Sequence, residues 1–234
     1  MRATPIVALD VPDAERARVL VRLLGATCRF YKVGSELFTA EGPAMVRWLV
    51  DDGCDVFLDL KFHDIPSTVE KAARSAAALG ATLVTVHASG GRAMIEAGVA
   101  GAGTECRILA VSVLTSHTAT SLGEAWGRRA GGGSGALDVS AEVLRLAELA
   151  RAAGAYGLVC AGDEAATVRA RHGDALRLLV PGVRLAGDES HDHARVVTPM
   201  TAAAAGATYV VLGRSVTAAA SPRDAMLRVR DSLA

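Results

Sequence analysis

The 234-residue sequence has no net charge, since 25 lysines and arginines balance 25 aspartates and glutamates. No global positive field would draw it to nucleic acid or to an anionic membrane, so any charged ligand has to be caught by a local site. It also lacks paired cysteines. Cys28, Cys54, Cys106 and Cys160 are scattered and form no C-x-x-C unit, which argues against a zinc ribbon or a disulfide framework and for buried, reduced thiols. No uninterrupted apolar run is long enough to cross a bilayer, and the opening MRATPIVALD meets charge too soon for a secretory segment. A cytoplasmic protein is expected, with neither a membrane nor a nucleic acid as partner.

What the chain does have is 51% hydrophobic residues, enough for one substantial core. Short β-branched runs alternate with Ala/Leu/Arg-rich stretches of helical length, the pattern of βα units around a parallel sheet. The strands read as PIVALD, RFYKVG, DVFLDLK, TLVTVH, RILAVSVL, YGLVC, LRLLVPG and TYVVLG. Alternation alone also suits an open, doubly wound sheet. Eight strands in a row, with no G-x-G-x-x-G after the first, favour an α/β fold of the (β/α)8 TIM-barrel kind, a single domain over residues 1–234. Two segments break the regularity. The Gly-rich GRRAGGGSGALD (Gly127–Asp138) is expected to be a mobile loop before the helix VSAEVLRLAELARAAG, within a wider mobile stretch around 115–138. The polar connection from Pro181 to Pro199 has the length of a lid or binding loop, with mobility expected around 182–198.

The stretch DVFLDLKFHDIPSTVEKA sets Asp55, Asp59, Lys61 and Asp64 in an otherwise apolar context. Side chains alternate across a strand, so Phe57, Asp59 and Lys61 share one face, while Val56, Leu58 and Leu60 share the other. If the second, apolar set meets the helices, Asp59 and Lys61 point into the barrel at the C-terminal strand end, where enzymes of this architecture work. The alternative is a salt bridge that only holds the strand end in register. Desolvation offsets the Coulomb attraction of such a pair, so stability is a weak reason to keep it. Asp10 and Lys32 end the two preceding strands, and a closed barrel would bring all four charges to one rim. Asp55, at the other strand end, is expected to be surface charge. Beyond Lys61, Ser67 and Glu70 have capping-box spacing, with Pro66 barring a helical residue at Ile65. Asp64 then lies in the loop ahead of the helix, where compensation of the helix dipole is the competing explanation.

These residues resemble the orotidine 5'-monophosphate decarboxylase family. Its D-x-K-x-x-D signature followed by I-P is present as Asp59, Lys61, Asp64, Ile65 and Pro66, in the context LKFHDIP. The resemblance spans nearly the whole chain, through VALD at Asp10, YKVG at Lys32, VLTS at Thr115 and Ser116, PGVR at Pro181–Arg184 and VVLGRS with Gly213 and Arg214. Ketogulonate-phosphate decarboxylases and hexulose-phosphate synthases share the D-x-K-x-x-D alone. The FHDIP and PGVR…VVLGRS contexts separate them.

The resemblance implies a barrel that dimerises with active sites at the subunit interface. Asp10 and Lys32 would bind ribose hydroxyls, Lys61 would deliver a proton to C6 of the pyrimidine, and Asp59 would lie against the substrate carboxylate. Asp64, Ile65 and Thr68 would enter the partner's site. Thr115 or Ser116 would contact the pyrimidine edge, Pro181 and Arg184 would line the substrate pocket, and Gly213 with Arg214 would hold the phosphate. The chain departs from close relatives where they carry D-Q-R-R: HDHARV places His193 at the Gln position, where it can still donate a hydrogen bond. No metal is expected, because His191 and His193 lack a third ligand of fixed spacing. His63 and His87 are expected to be structural hydrogen-bonding residues.

The chemistry implied needs no cofactor. Losing CO2 from C6 leaves an in-plane carbanion with no adjacent electron sink, so the protein has to stabilise charge and supply a proton. An ammonium beside carboxylates keeps its charged form and does both. Two other readings stay open at this point: a sugar-phosphate lyase using a divalent metal at the same rim, and a nucleotide-phosphate binding barrel without catalysis.

Overall fold

The computed structural model describes residues 3–128, 137–185 and 197–234. Eight strands form a closed parallel barrel in sequence order: β1 (Thr4–Ala8), β2 (Phe30–Gly34), β3 (Asp55–Phe62), β4 (Leu83–His87), β5 (Arg107–Val111), β6 (Gly157–Val159), β7 (Arg177–Val183) and β8 (Tyr209–Leu212), with β8 closing on β1. All eight expected strands are present. Most are shorter than their apolar runs, so Asp10 lies two residues beyond the end of β1. The helices are α1 (Ala14–Leu24), α2 (Ser35–Glu41), α3 (Pro43–Asp51), α4 (Pro66–Ala78), α5 (Arg92–Ala102), α6 (Ala119–Ala125), α7 (Val139–Ala152), α8 (Gly162–His172), α9 (Pro199–Ala204), α10 (Arg214–Thr217) and α11 (Pro222–Ser232).

Strand alternation produces two cores. Ile6, Phe30, Phe57, Leu83, Leu109 and Leu179 fill the barrel interior, whereas their neighbours Val7, Tyr31, Val56, Leu58, Val84 and Leu178 pack outward against the helices. Phe57 faces inward and Val56 and Leu58 outward, as the alternation predicts. All four cysteines are free and buried. Burial pushes the Cys54 and Cys106 thiols up to about 11, where they are poor nucleophiles.

Two expectations about helix ends change. Ile65, not Ser67, is the N-cap of α4, without a side-chain capping bond. Pro66 occupies the first helical position, where its missing N–H costs nothing, so Ser67 falls inside the helix. Glu70 pairs with Arg74 one turn on instead of reaching back. The stretch 115–138 is not loop throughout: Thr118 and Ser121 form a capping box that starts α6. Asp138 caps α7 through Ser140 N and Ala141 N. The remainder of the glycine-rich run, 129–136, and 186–196 of the Pro181–Pro199 connection lie outside the described residues. On either side of the latter, Val183 pairs with Val197, and Arg184 N donates to the Val197 carbonyl at 3.0 Å.

Helices α4 and α5 approach closely because Gly101 has no side chain: a Cβ there would overlap the Glu70 carbonyl of α4. Gly101→Ala is therefore expected to cost about 1–3 kcal/mol of stability through overpacking. An equilibrium urea titration measures it, and an unchanged midpoint would contradict the packing account.

Candidate active site at the barrel mouth

The C-terminal ends of β1, β2 and β3 carry a row of alternating charges. Lys32 Nζ lies 2.7 Å from Asp10 Oδ1 and 3.9 Å from Asp59 Oδ2, and Lys61 Nζ lies 2.8 Å from the same Asp59 oxygen. Lys32 and Asp59 are largely buried, with side chains 11% and 13% exposed, while Lys61 at 36% opens toward solvent. Every charge in the row has an opposite neighbour, which offsets the cost of removing Lys32 and Asp59 from water.

Local backbone irregularity sets this geometry. The β3–β4 ladder pairs Leu58 with Val84 and Phe62 with Val86, so Asp59, Leu60 and Lys61 face Thr85 alone. Such a bulge turns side chains away from the regular pleat, and bulges gather next to active sites. Among the described residues Lys61 is the only non-glycine with positive φ, at 50°, a conformation that disfavours L-residues and persists where surrounding bonds over-determine it. A second register shift lies between Val180 and Val183 of β7, at Pro181 and Gly182. It opens the opposite side of the mouth.

Two adjoining cavities at the mouth contain the charged row. One, of about 260 Å³, is lined by Lys32, Asp59, Lys61, Thr115, Ser116 and Pro181, among others. The other, of about 810 Å³, is lined by Asp10, Lys32, Pro181, Arg184, Gly213 and Arg214, among others. Lys32, Pro181 and Val211 belong to both. One cavity thus holds the carboxylate–ammonium pair over an apolar floor that includes Phe57, Val111 and Leu179. The other offers guanidinium groups from the residue after β7 and from the start of α10, with Asp10 in the same lining. That division suits a ligand with a flat ring at one end and a phosphate at the other.

The structure thus brings together Asp10, Lys32, Asp59, Lys61, Thr115, Ser116, Pro181, Arg184, Gly213 and Arg214. It does not bring Asp64, Ile65 and Thr68 into either cavity of the same chain. Asp64 Oδ1 accepts from Ile65 N at 2.6 Å, and no ion pair joins Asp64 to Lys61 among the described residues. Ile65 is 64% exposed, a large apolar side chain facing outward beside the mouth. His193 lies outside the described residues. His63 and His87, expected to be hydrogen-bonding residues, instead contact each other with ring centroids 5.4 Å apart. Burial, then the neighbouring His63 and Lys61, hold His87 below the ordinary imidazole range. Among the described residues no group of three or more His, Cys, Asp or Glu side chains is arranged to hold a metal ion, and no helix is long and apolar enough to cross a membrane.

Two residues of this site do not stand out in the sequence. Thr85 is fully buried; its hydroxyl donates to Asp59 Oδ1 at 2.9 Å and accepts from Lys61 N at 2.9 Å. Its one signal is a hydroxyl inside the aliphatic run LVTV, on the face of Leu83 and His87. Gly34 is the other. A Cβ there would sit 2.7 Å from Lys32 Nζ and 3.1 Å from Asp10 Oδ1. The Gly34 backbone is ordinary (φ −96°), so alanine would fit the chain and disturb only the Lys32 ammonium and the Asp10 carboxylate paired with it. Gly34→Ala is expected to lower kcat/KM by about 10- to 100-fold, the scale of an ångström misplacement, with little change in thermal midpoint. Steady-state kinetics with a melting curve check it; wild-type kcat/KM would show that Lys32 has room to spare.

A closed barrel with a lysine–carboxylate row at its C-terminal mouth defines the class, a (β/α)8-barrel enzyme. A family model described as "Orotidine 5'-phosphate decarboxylase / HUMPS family" matches residues 4–229. The chain is 49% identical over 232 residues to an orotidine 5'-phosphate decarboxylase of Alkalilimnicola ehrlichii, covering 98% of this chain and 95% of that one. It is 51% identical over 215 residues to one from Anaeromyxobacter sp. (strain K), covering 92% and 91%. The crystal structure of orotidine 5'-phosphate decarboxylase from Lactobacillus acidophilus matches with a TM-score of 0.85 at 33% identity, covering 100% of this chain and 99% of that one. The chain belongs to the orotidine 5'-phosphate decarboxylase / HUMPS family.

Proposed function

We propose that this chain converts orotidine 5'-monophosphate to uridine 5'-monophosphate in pyrimidine biosynthesis, without a cofactor. The observation that carries the reading is the Asp59–Lys61 pair at 2.8 Å in a cavity that adjoins an arginine-lined one. Family membership supports the same substrate.

In this reading the ring lies over the apolar floor with its edge at Thr115 or Ser116. The ribose hydroxyls meet Asp10 and Lys32, and the phosphate meets Gly213 and Arg214, with Pro181, Arg184 and His193 as further substrate contacts. The C6–carboxylate bond breaks, its electron pair stays on C6, CO2 leaves, and Lys61 Nζ transfers a proton to C6. The neutral amine then regains a proton from solvent. Asp59 repels the substrate carboxylate and loses that repulsion as CO2 departs, but the fixed ammonium facing the developing carbanion supplies the larger stabilisation.

We further propose a homodimer in which Asp64, Ile65 and Thr68 complete the partner's site. The outward aim of all three supports this, since a carboxylate and an exposed isoleucine beside the mouth, with no role in their own cavity, fit a neighbouring subunit.

The family name also covers another reading, a metal-dependent lyase acting on a sugar phosphate. The test is one assay series on metal-stripped protein. Loss of orotidine monophosphate absorbance without added metal supports the decarboxylase, whereas chelator-sensitive turnover of a ketose phosphate, with that absorbance unchanged, would select the lyase.

A further inference from the structure

We infer that Thr85 is a positioning residue for the catalytic pair, holding the Lys61 main chain and the Asp59 carboxylate in one orientation through a single hydroxyl. The inference rests on the decarboxylase reading and extends it to a residue outside the signature motif.

The ladder between β3 and β4 is irregular at this point. Three residues of β3 face one residue of β4, so the Lys61 N–H has no regular ladder partner in this register. An unpaired N–H there would be costly, and the partner is a side chain: Thr85 Oγ1 accepts from Lys61 N at 2.9 Å. A hydroxyl has one proton to give, and Thr85 gives it to Asp59 Oδ1 at 2.9 Å. The other Asp59 oxygen accepts from Lys61 Nζ at 2.8 Å. Each carboxylate oxygen is therefore engaged, and the plane of the carboxylate is set from behind by a residue with no exposure to solvent.

This closes a ring of three hydrogen bonds through Lys61 N, Thr85 Oγ1, Asp59 and Lys61 Nζ. The same ring holds Lys61 at φ 50°, a conformation an L-residue adopts only under constraint. Thr85 does not line the cavity that holds Asp59 and Lys61; it acts only through them. Valine keeps its shape and burial but offers neither donor nor acceptor, whereas serine keeps the hydroxyl and gives up the methyl.

Those two substitutions separate positioning from packing. Thr85→Val is expected to lower kcat by roughly 10- to 100-fold, the scale of losing a hydrogen bond to a charged group, with KM changed by no more than about threefold because ribose and phosphate are held by other strand ends. Thr85→Ser is expected to retain kcat within about threefold of wild type. A packing role predicts the reverse order, with serine worse than valine. Wild-type kcat in the valine variant, or equal losses in both, would overturn the inference.

A second measurement does not depend on turnover. Amide hydrogen exchange at Lys61 is expected to be at least about tenfold faster in Thr85→Val than in the wild type and Thr85→Ser. Unchanged exchange would overturn the inference even if the protein proved inactive on orotidine monophosphate. Wild-type inactivity with the exchange difference intact would instead count against the decarboxylase reading alone. Should the valine variant not fold, the serine variant still decides: a loss of kcat of about tenfold or more would refute the role of the hydroxyl.

Discussion

Lys61→Ala is expected to reduce kcat for orotidine monophosphate by about four orders of magnitude or more, while uridine monophosphate still binds. Two contributions disappear together. The proton donor is lost, and positioned general acids contribute about 10²–10⁴-fold. The electrostatic stabiliser is lost as well: two unit charges about 4 Å apart interact by about 4 kcal/mol at an effective dielectric near 20, close to three orders of magnitude in rate. Because the ammonium performs both tasks at one step, the two losses are not independent and their product is an upper bound. Binding of product should survive, since Asp10, Lys32 and Arg214 line the other cavity and are untouched. Single-turnover kinetics beside product titration measure both quantities. Full activity in the variant would end the mechanism, and loss of product binding would show that Lys61 organises the pocket as a whole.

Asp64→Ala is expected to be nearly inactive alone, yet to regain activity when mixed with inactive Lys61→Ala. In a hybrid dimer, the site built around the intact Lys61 receives the intact Asp64 of the other subunit, while the second site lacks both. Random exchange of equal amounts makes about half of the dimers hybrids, each with one whole site, so recovery should approach about one quarter of wild-type activity. The structural motive is direct: among the described residues of its own chain Asp64 bonds to the adjacent Ile65 N–H and not to Lys61, and Ile65 and Thr68 face outward beside it. An in-chain role for Asp64 predicts no recovery after proven subunit exchange.

Both experiments use residues that the D-x-K-x-x-D spacing singles out, and the reason they are legible is local. Residues 59 and 61 are two apart in a strand, so period-two alternation sends both inward wherever their neighbours Val56 and Leu58 face the helices. Asp10 and Lys32 are legible in the same way, as charges at the ends of apolar runs. The helix start after Asp64 is less so, because the capping-box spacing of Ser67 and Glu70 points to Ser67 as the cap, while Pro66 is equally at home as the first helical residue, which is where the backbone puts it. The 115–138 stretch reads as loop because α6 is two turns long, too short for an apolar period to show.

Thr85 and Gly34 cannot be read in this way. One matters through a hydrogen bond to a residue 26 positions away, the other through space it leaves for the tip of a lysine on its own strand. The sequence by itself determined the barrel, its eight strands and the charges at its mouth, since alternation of short β-branched and helical segments is a local property of the chain. Only the tertiary structure decided which oxygen each lysine meets, that β3 bulges against β4 at Lys61, and that Asp64 lines neither of the two cavities in its own chain. Those depend on register between strands and on closure of the barrel, which bring together groups that no local period relates.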